Sequence, residues 1–459
     1  MQRRSGSHLR DWAAQPGRLP VVLRGARQTG KTWLVNNFQD PAERDVATVN
    51  LERDPDLATC FANPDPAATL ALLEARLRRP ITPGRTILFL DEIQAVPKLL
   101  ASLRWFAEEL PSLHVVAAGS LLDFALADPE FAMPVGRITF GHVEPMTFAE
   151  FLIAVGEERL LAAIEQAVPE APLPTALHEQ ASQLVRTYVL VGGMPAAVKA
   201  WCETRSYVHV AELHRDLLQT MRHDFAKYKR NADTACIDKV FAALPRLVGR
   251  KFQPVQVDRD STGRAIKAAF RLLCLARVAT AVRRSAANGI PLGAEVDERY
   301  RKVCMLDIGL FATMSGIDAA AVMGAPAERF VNEGQIAEQF VGQELRACRP
   351  FNQEPELFTW VREARSSNAE VDYVIQVGTR IVPVEVKAGA SGRLRSLHVM
   401  ADEKRLDVAV RVGPEPLQVI EVATAVPAPR QPSFRLLSVP LYMTAQIPRL
   451  AARMGEAVG

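Results

Sequence analysis

Gly25-Ala26-Arg27-Gln28-Thr29-Gly30-Lys31-Thr32 is the stretch that decides how the front of this 459-residue chain folds. It fits GxxxxGK[ST] at every fixed position. In that pattern the glycines let the main chain curl so that its N–H groups converge on phosphate. A helix starting at the lysine aims its positive dipole end at the same point. The flanks agree: Val21-Val22-Leu23 reads as a strand before the loop, and Trp33-Leu34-Val35 continues a helix after it. Lys31 is expected to reach the outer phosphates, and the Thr32 hydroxyl to ligate Mg2+.

About 60 residues on comes Ile87-Leu88-Phe89-Leu90-Asp91-Glu92, an apolar run that ends in two carboxylates. A strand buried on both faces in a parallel sheet looks like this. Its C-terminal edge is where open α/β sheets bind ligands. Asp91 is expected to hold Mg2+ and Glu92 to polarise an attacking water. Together the two patterns imply a P-loop NTPase site for ATP with Mg2+, formed by Gly25, Ala26, Arg27, Gln28, Thr29, Gly30, Lys31, Thr32, Asp91 and Glu92. Two further positions have open readings. Ser120, ending the apolar run 115–118 and Gly119, suits either a γ-phosphate sensor or the N-cap of a helix over 121–127. Arg137 suits either an arginine finger or a structural arginine at a strand start.

Further apolar runs at 19–23, 46–50, 86–90, 115–118 and 137–140 alternate with helical stretches, which implies a parallel sheet covered by helices. Residues 150–228 read as helical, broken at Val191-Gly192-Gly193-Met194-Pro195. Over 232–312 the order is helices, a strand (278–284), a turn-rich stretch (286–297) and a second strand (300–306), which is the order of a winged helix. Residues 317–330 read as a linker.

The C-terminal segment holds a second concentration of chemistry. Glu370-Val371-Asp372-Tyr373-Val374-Ile375-Gln376-Val377 and Arg380-Ile381-Val382-Pro383-Val384-Glu385-Val386-Lys387 flank Gly378-Thr379, a two-residue loop suited to a tight hairpin. That turn puts Asp372 opposite Glu385 and Glu370 opposite Lys387, all on one face. Two carboxylates opposed on paired strands repel each other. Either a cation such as Mg2+ or Mn2+ sits between them, with Lys387 beside it, or the hairpin faces solvent with Glu370 and Lys387 as an ion pair.

Apolar residues make up 48% of the chain and charged residues 23%, as in ordinary globular proteins. No apolar run approaches the roughly 18 residues that cross a bilayer, so no membrane partner is expected. No signal peptide is read at the N-terminus. The six cysteines are scattered, with no CxxC pair, which fits reduced thiols and a cytoplasmic location. Net charge is +3, yet residues 226–310 carry 17 Lys/Arg against 8 Asp/Glu. A basic middle suits either an anionic partner such as double-stranded DNA or a solvated face. Arg264, Lys267 and Arg271 lie at helical spacings on one face, while Arg283, Arg284, Arg299, Arg301 and Lys302 would border the wing. They would hold phosphates without reading sequence.

The loop GARQTGKT (25–32), the strand LFLDEIQ (88–94), AAGSLLDFAL (117–126), PVGR (134–137), LVGGMP (190–195), AEVDYVI (369–375) and VPVEVKAG (382–389) together resemble one bacterial and archaeal family. These are AAA+-like ATPases with a C-terminal domain called DUF4143. The resemblance runs from about residue 5 to 445. It implies an α/β fold in four parts: a P-loop ATPase core (1–150), a helical subdomain (151–230), a winged-helix-like domain (231–316) and a C-terminal domain (328–459) similar to the PD-(D/E)xK nucleases. In that nuclease fold Asp372, Glu385 and Lys387 would carry a metal site. Glu338, or else Glu333, would complete it from a helix. The resemblance assigns fold and ATP binding more than purpose, and two functions are expected from the residues: ATP hydrolysis coupled to a DNA-acting C-terminal domain with nuclease chemistry open, or a nucleotide switch whose C-terminal fold binds nucleic acid or a protein without cutting. An oligomer is compatible with either.

Overall fold

The structure is a computed structural model that describes residues 3–38, 40, 42–126, 134–225, 233–317, 334–362, 369–387, 394–423 and 433–456. The expected linker at 317–330, apart from its first residue, and Glu333 lie outside these residues. The chain divides into two compact units. One comprises Met1–Met146 with Leu275–Arg277 and Arg349–Glu354. The other comprises Thr147–Cys274, Val278–Cys348 and Pro355–Gly459.

The first unit is a five-stranded sheet made of β1 (Val21–Arg24), β2 (Asp45–Asn50), β3 (Thr86–Asp91), β4 (His114–Gly119) and β5 (Thr139–His142), in the order β2-β3-β4-β1-β5. Every pairing is parallel. All five strands coincide with apolar runs read from the sequence. The two faces of the sheet separate by strand alternation. Leu88 and Leu90 pack with Val22, Val49, Val115 and Ala117 against Leu70 and Leu73 of α3 (Pro66–Leu77) and Leu100 and Leu103 of α4 (Leu99–Glu109). Ile87 and Phe89 pack the other way with Val21, Leu23 and Val116. There they meet Leu9 and Trp12 of α1 (Arg4–Ala14) and Leu34 and Val35 of α2 (Lys31–Asn37). With both faces covered, every residue of β3 and β4 is buried.

The second unit opens with five helices: α6 (Phe148–Val155), α7 (Glu158–Gln166), α8 (Thr175–Val191), α9 (Pro195–Thr204) and α10 (Tyr207–Asp224). Here α5 denotes the short helix Leu122–Leu126 of the first unit. The break between α8 and α9 is a docking point. Gly192 has φ +68, and a Cβ there would meet Asp307 Oδ2 at 2.2 Å. The buried Asp307 carboxylate accepts from the N–H of Gly193 (2.6 Å), Gly309 (2.9 Å) and Leu310 (3.1 Å). It thereby caps α13 (Ile308–Met314).

After α11 (Thr234–Leu247) and α12 (Gly263–Leu275) comes an eight-stranded mixed sheet. Its strands are β6 (Ala279–Ser285), β7 (Val296–Met305), β8 (Leu357–Val361), β9 (Glu370–Val377), β10 (Arg380–Val386), β11 (Val408–Gly413), β12 (Gln418–Ala423) and β13 (Ser433–Pro440), in the order β12-β13-β11-β10-β9-β8-β6-β7. The strands expected of the winged helix, β6 and β7, form the expected antiparallel pair. They do not stand apart, because β6 pairs in parallel with β8 (Val282 with Leu357) and so continues the C-terminal sheet. Two helices complete the unit's site region: α14 (Gly334–Ala347) and α15 (Arg395–Lys404). Among the described residues no helix is long and apolar enough to cross a membrane.

Candidate functional site

The phosphate-binding pattern folds as a loop between β1 and α2. Gln28 (φ +62) and Gly30 (φ +86) take the left-handed conformation. Gly25 is needed for a different reason: a Cβ there would lie 2.3 Å from the carbonyl oxygen of Val143. The Lys31 ammonium is buried and donates to the carbonyls of Gly25 (3.0 Å) and Ala26 (2.8 Å). Thr29 Oγ1 also donates to Ala26 O, at 3.0 Å. Burial lowers the Lys31 pKa to about 8, with Glu92 and Asp91 opposing and Arg277 and Arg27 adding to the drop.

Across the loop, Thr32 Oγ1 donates to Asp91 at 3.1–3.2 Å, and Asn50 Nδ2 reaches the same carboxylate at 3.3 Å. Burial, then the neighbouring Glu92, raises the Asp91 pKa. A buried carboxylate beside a hydroxyl is a hard-oxygen donor pair, so Asp91 and Thr32 fit a small divalent cation. Glu92 sits at φ +54 immediately after β3, and its carboxylate accepts from Gln94 Nε2. Gln94 is a residue the sequence reading passed over; its other amide atom, Oε1, is buried with no partner among the described residues.

β4 lies between β1 and β3, so Ser120 at its end stands between the loop and Asp91. The Ser120 hydroxyl is buried and makes no hydrogen bond among the described residues, so the helix-cap reading is not what the structure shows. Ala127, the last residue of the expected helix, lies outside the described residues. Arg137 is exposed; its guanidinium bonds Glu108 Oε1 of α4 (2.5 Å) and the carbonyl of Gly136 (3.4 Å). A further cluster adjoins the loop. Arg24 and Arg277 both bond Asp123, and both reach Glu354, at 3.0 and 2.9 Å. Burial alone would raise the Asp123 pKa, but Arg277 and Arg24 hold it below the usual value.

In the second unit the hairpin has the expected register, from Arg380–Val377 to Val384–Tyr373, with Gly378 at φ +59. Its acids converge: burial and then Asp372 push Glu385 up to about 7, and the same two causes push Glu338 up to about 8. Lys387 Nζ pairs with Glu385 Oε1 at 2.7 Å, not with Glu370 as the cross-strand reading had it. Glu338 of α14 is seated by Gly249 (φ +71), where a Cβ would meet its Oε2 at 2.5 Å.

The residue missed is Lys302. Its expected place was the rim of a wing, in reach of phosphate. Instead it is 2% exposed, and its ammonium lies 3.0 Å from Glu370, 3.1 Å from Glu338 and 3.3 Å from Asp372. The other wing bases are engaged too. Arg283 pairs with Glu298 and Glu356, Arg284 and Arg299 pair with Asp297, and Arg301 donates to Glu298 O. Arg264, Lys267 and Arg271 do stand on the exposed side of α12, opposite the buried Ile266, Phe270 and Leu273. Among the described residues no group of three or more His, Cys, Asp or Glu is disposed to hold a metal ion.

Family models match three stretches of the chain: an AAA domain over residues 17–152, a domain of unknown function, DUF8612, over 182–321, and a second one, DUF4143, over 333–430. No curated protein matches. Among solved structures, the chain is similar to the Walker-type ATPase PABY2304 of Pyrococcus abyssi, at 14% identity and a TM-score of 0.43, over 68% of this chain and 95% of that one. It is also similar to the Aeropyrum pernix ORC2 protein in ADPNP and ADP complexes, at 13% identity and TM-score 0.34, over 71% and 96%. A third match is the S. cerevisiae Hsp104–ADP complex, at 14% identity and TM-score 0.26, over 60% and 38%. These likenesses are too loose to transfer any residue's role. The phosphate-binding loop lies inside the first matched stretch and the acidic hairpin inside the last, so the chain joins an AAA domain to a C-terminal DUF4143 domain.

Proposed function

We propose that the first unit binds ATP with Mg2+ and hydrolyses it, and that nucleotide state acts as a switch on a C-terminal domain that binds a partner without cutting it. The observation that carries the first half is the assembly of Lys31, Thr32 and Asp91 at one end of a parallel sheet. The loop N–H groups would hold the phosphates. Lys31 would exchange its two carbonyl contacts for outer-phosphate oxygens. Thr32 and Asp91 would hold Mg2+, which supplies charge neutralisation as the phosphate bond breaks. Glu92 would orient water, and the unpartnered Ser120 hydroxyl would contact the γ-phosphate or that water. Arg137, exposed on the surface, is assigned to the finger role only if a neighbouring subunit presents a site to it. The test is a pair of variants measured by labelled-ATP binding and phosphate release. Lys31→Ala should bind no ATP. Glu92→Gln should bind ATP and lose about 10²–10⁴ in turnover. Undiminished turnover in the second would remove Glu92 from its role.

For the C-terminal domain, cleavage is supported by the proximity of Asp372, Glu385 and Lys387, as a PD-(D/E)xK site would require. Lys302 favours the switch, because its ammonium already contacts two of the acids such a site needs, Glu338 and Asp372. Double-stranded DNA is the partner best supported by the exposed Arg264, Lys267 and Arg271. None of the six cysteines is in a disulfide among the described residues, which suits the cytoplasmic setting that this reading implies. Mg2+-dependent plasmid cleavage decides between the two, and cleavage abolished by Asp372→Ala would overturn the switch.

A further inference from the structure

The acidic centre of the second unit is built from residues distant in sequence. Glu338 comes from α14, Glu370 and Asp372 from β9, Glu385 from β10 and Lys302 from β7. In hydrogen-bonding order β7 and β9 are separated by β8 and β6. A flat sheet would hold them roughly 14 Å apart, more than twice the reach of a lysine side chain. The sheet therefore curls, and the curl carries Lys302 and its same-face neighbour Tyr300 over the hairpin. The Tyr300 hydroxyl donates to Glu370 Oε2 at 2.8 Å, within the same cluster.

Three observations show what occupies this place. The Lys302 ammonium contacts three carboxylates, one for each of its protons. Both oxygens of Asp372 are already used: Oδ1 faces Lys302, and Oδ2 accepts from the Val386 N–H at 2.9 Å. Glu385 is held by Lys387 through one oxygen. A divalent ion between Asp372 and Glu385 would have to displace the ammonium or sit beside it, and two cations about 4 Å apart in a buried site repel strongly. The residues present do not fit the metal that a nuclease-like fold implies.

We propose that Lys302 is the resident cation of this centre, so that the native domain takes up no divalent metal there. The centre then serves as a packed core joining α14, β7, β9 and β10, with Lys302 as the cation shared by three of its acids. The binding-without-cutting reading above follows from it. The inference does not depend on the nucleotide site, and its test is built to keep the two apart.

The test is calorimetric titration of the full-length chain with Mn2+ in an Asp91→Asn background, which removes the nucleotide-site carboxylate. That parent should show no Mn2+ uptake that a further Asp372→Asn change removes. Adding Lys302→Met should create stoichiometric uptake that Asp372→Asn abolishes. It should also lower the melting temperature without metal and restore it with Mn2+. Two results would overturn the proposal. One is uptake by the parent that Asp372→Asn abolishes. The other is a folded Lys302→Met protein that binds no Mn2+. If Lys302→Met fails to fold, the parent and its Asp372→Asn derivative still decide the matter.

Discussion

Lys31 illustrates how one side chain carries both a reading and a measurable consequence. Its place in GxxxxGK[ST] is legible from sequence, but its burial is not, and burial sets its proton affinity. With a pKa of about 8 against an ordinary 10.5, the ammonium is neutral in much of the nucleotide-free protein above pH 8. Under the proposed function, binding ATP requires the charged form. Affinity should therefore be flat below pH 8 and fall by up to about tenfold per pH unit above it, as a group that must be reprotonated on binding requires. Titrating labelled ATP across pH 7–9.5 checks this, and a flat profile would remove Lys31 as the titrating group. Gln94 shows the opposite limit of legibility. A glutamine two residues past an acid carries no pattern of its own, and only the left-handed turn at Glu92 brings its amide onto that carboxylate.

Among elements, the hairpin and the helix breaks were the most readable. Gly378-Thr379 set a register that the structure reproduces, because a two-residue turn leaves strand pairing no freedom. The LVGGMP segment was readable as a break but not as what it does. Its function is to bring the α8–α9 junction against Asp307, a residue more than a hundred positions later. Gly192→Ala would place a methyl group 2.2 Å from that carboxylate, on a backbone conformation favourable only to glycine. It should destabilise the second unit by at least about 2 kcal/mol, seen as a lower urea midpoint. Gly25 carries the same lesson in the first unit. The pattern demands glycine there for phosphate approach, while the structure adds the Val143 carbonyl as a wall.

For the whole molecule, sequence periodicity separated strands from helices well but could not say which strands share a sheet. β6 and β7 had the order of a winged helix, and nothing local announces that β6 will pair with β8, some seventy residues further on. That long-range pairing moved Lys302 from an expected solvent-facing rim into an acidic core. It also bears on DNA contact, since α12 keeps Arg264, Lys267 and Arg271 on its exposed side. Charge reversal at Arg264, Lys267 and Arg271 together should abolish the salt-sensitive part of duplex DNA binding in fluorescence anisotropy. Unchanged binding would exclude α12 as the contact.

The tripeptide Leu275–Arg277 and the hexapeptide Arg349–Glu354 belong to the first unit although their neighbours in sequence belong to the second. Phe351 stacks on His8 (5.2 Å between ring centroids) and its carbonyl accepts from the His142 N–H at 2.9 Å, while Arg277 completes the neutralisation of Asp123. An expression fragment ending at Met146 would thus present a bare β5 edge, an unfilled aromatic seat and an acid short of one guanidinium. Such a fragment should aggregate, and a boundary drawn by homology alone would mislead anyone trying to obtain the nucleotide-binding half in isolation. Adding peptides 270–280 and 345–358 in trans offers a direct check by light scattering.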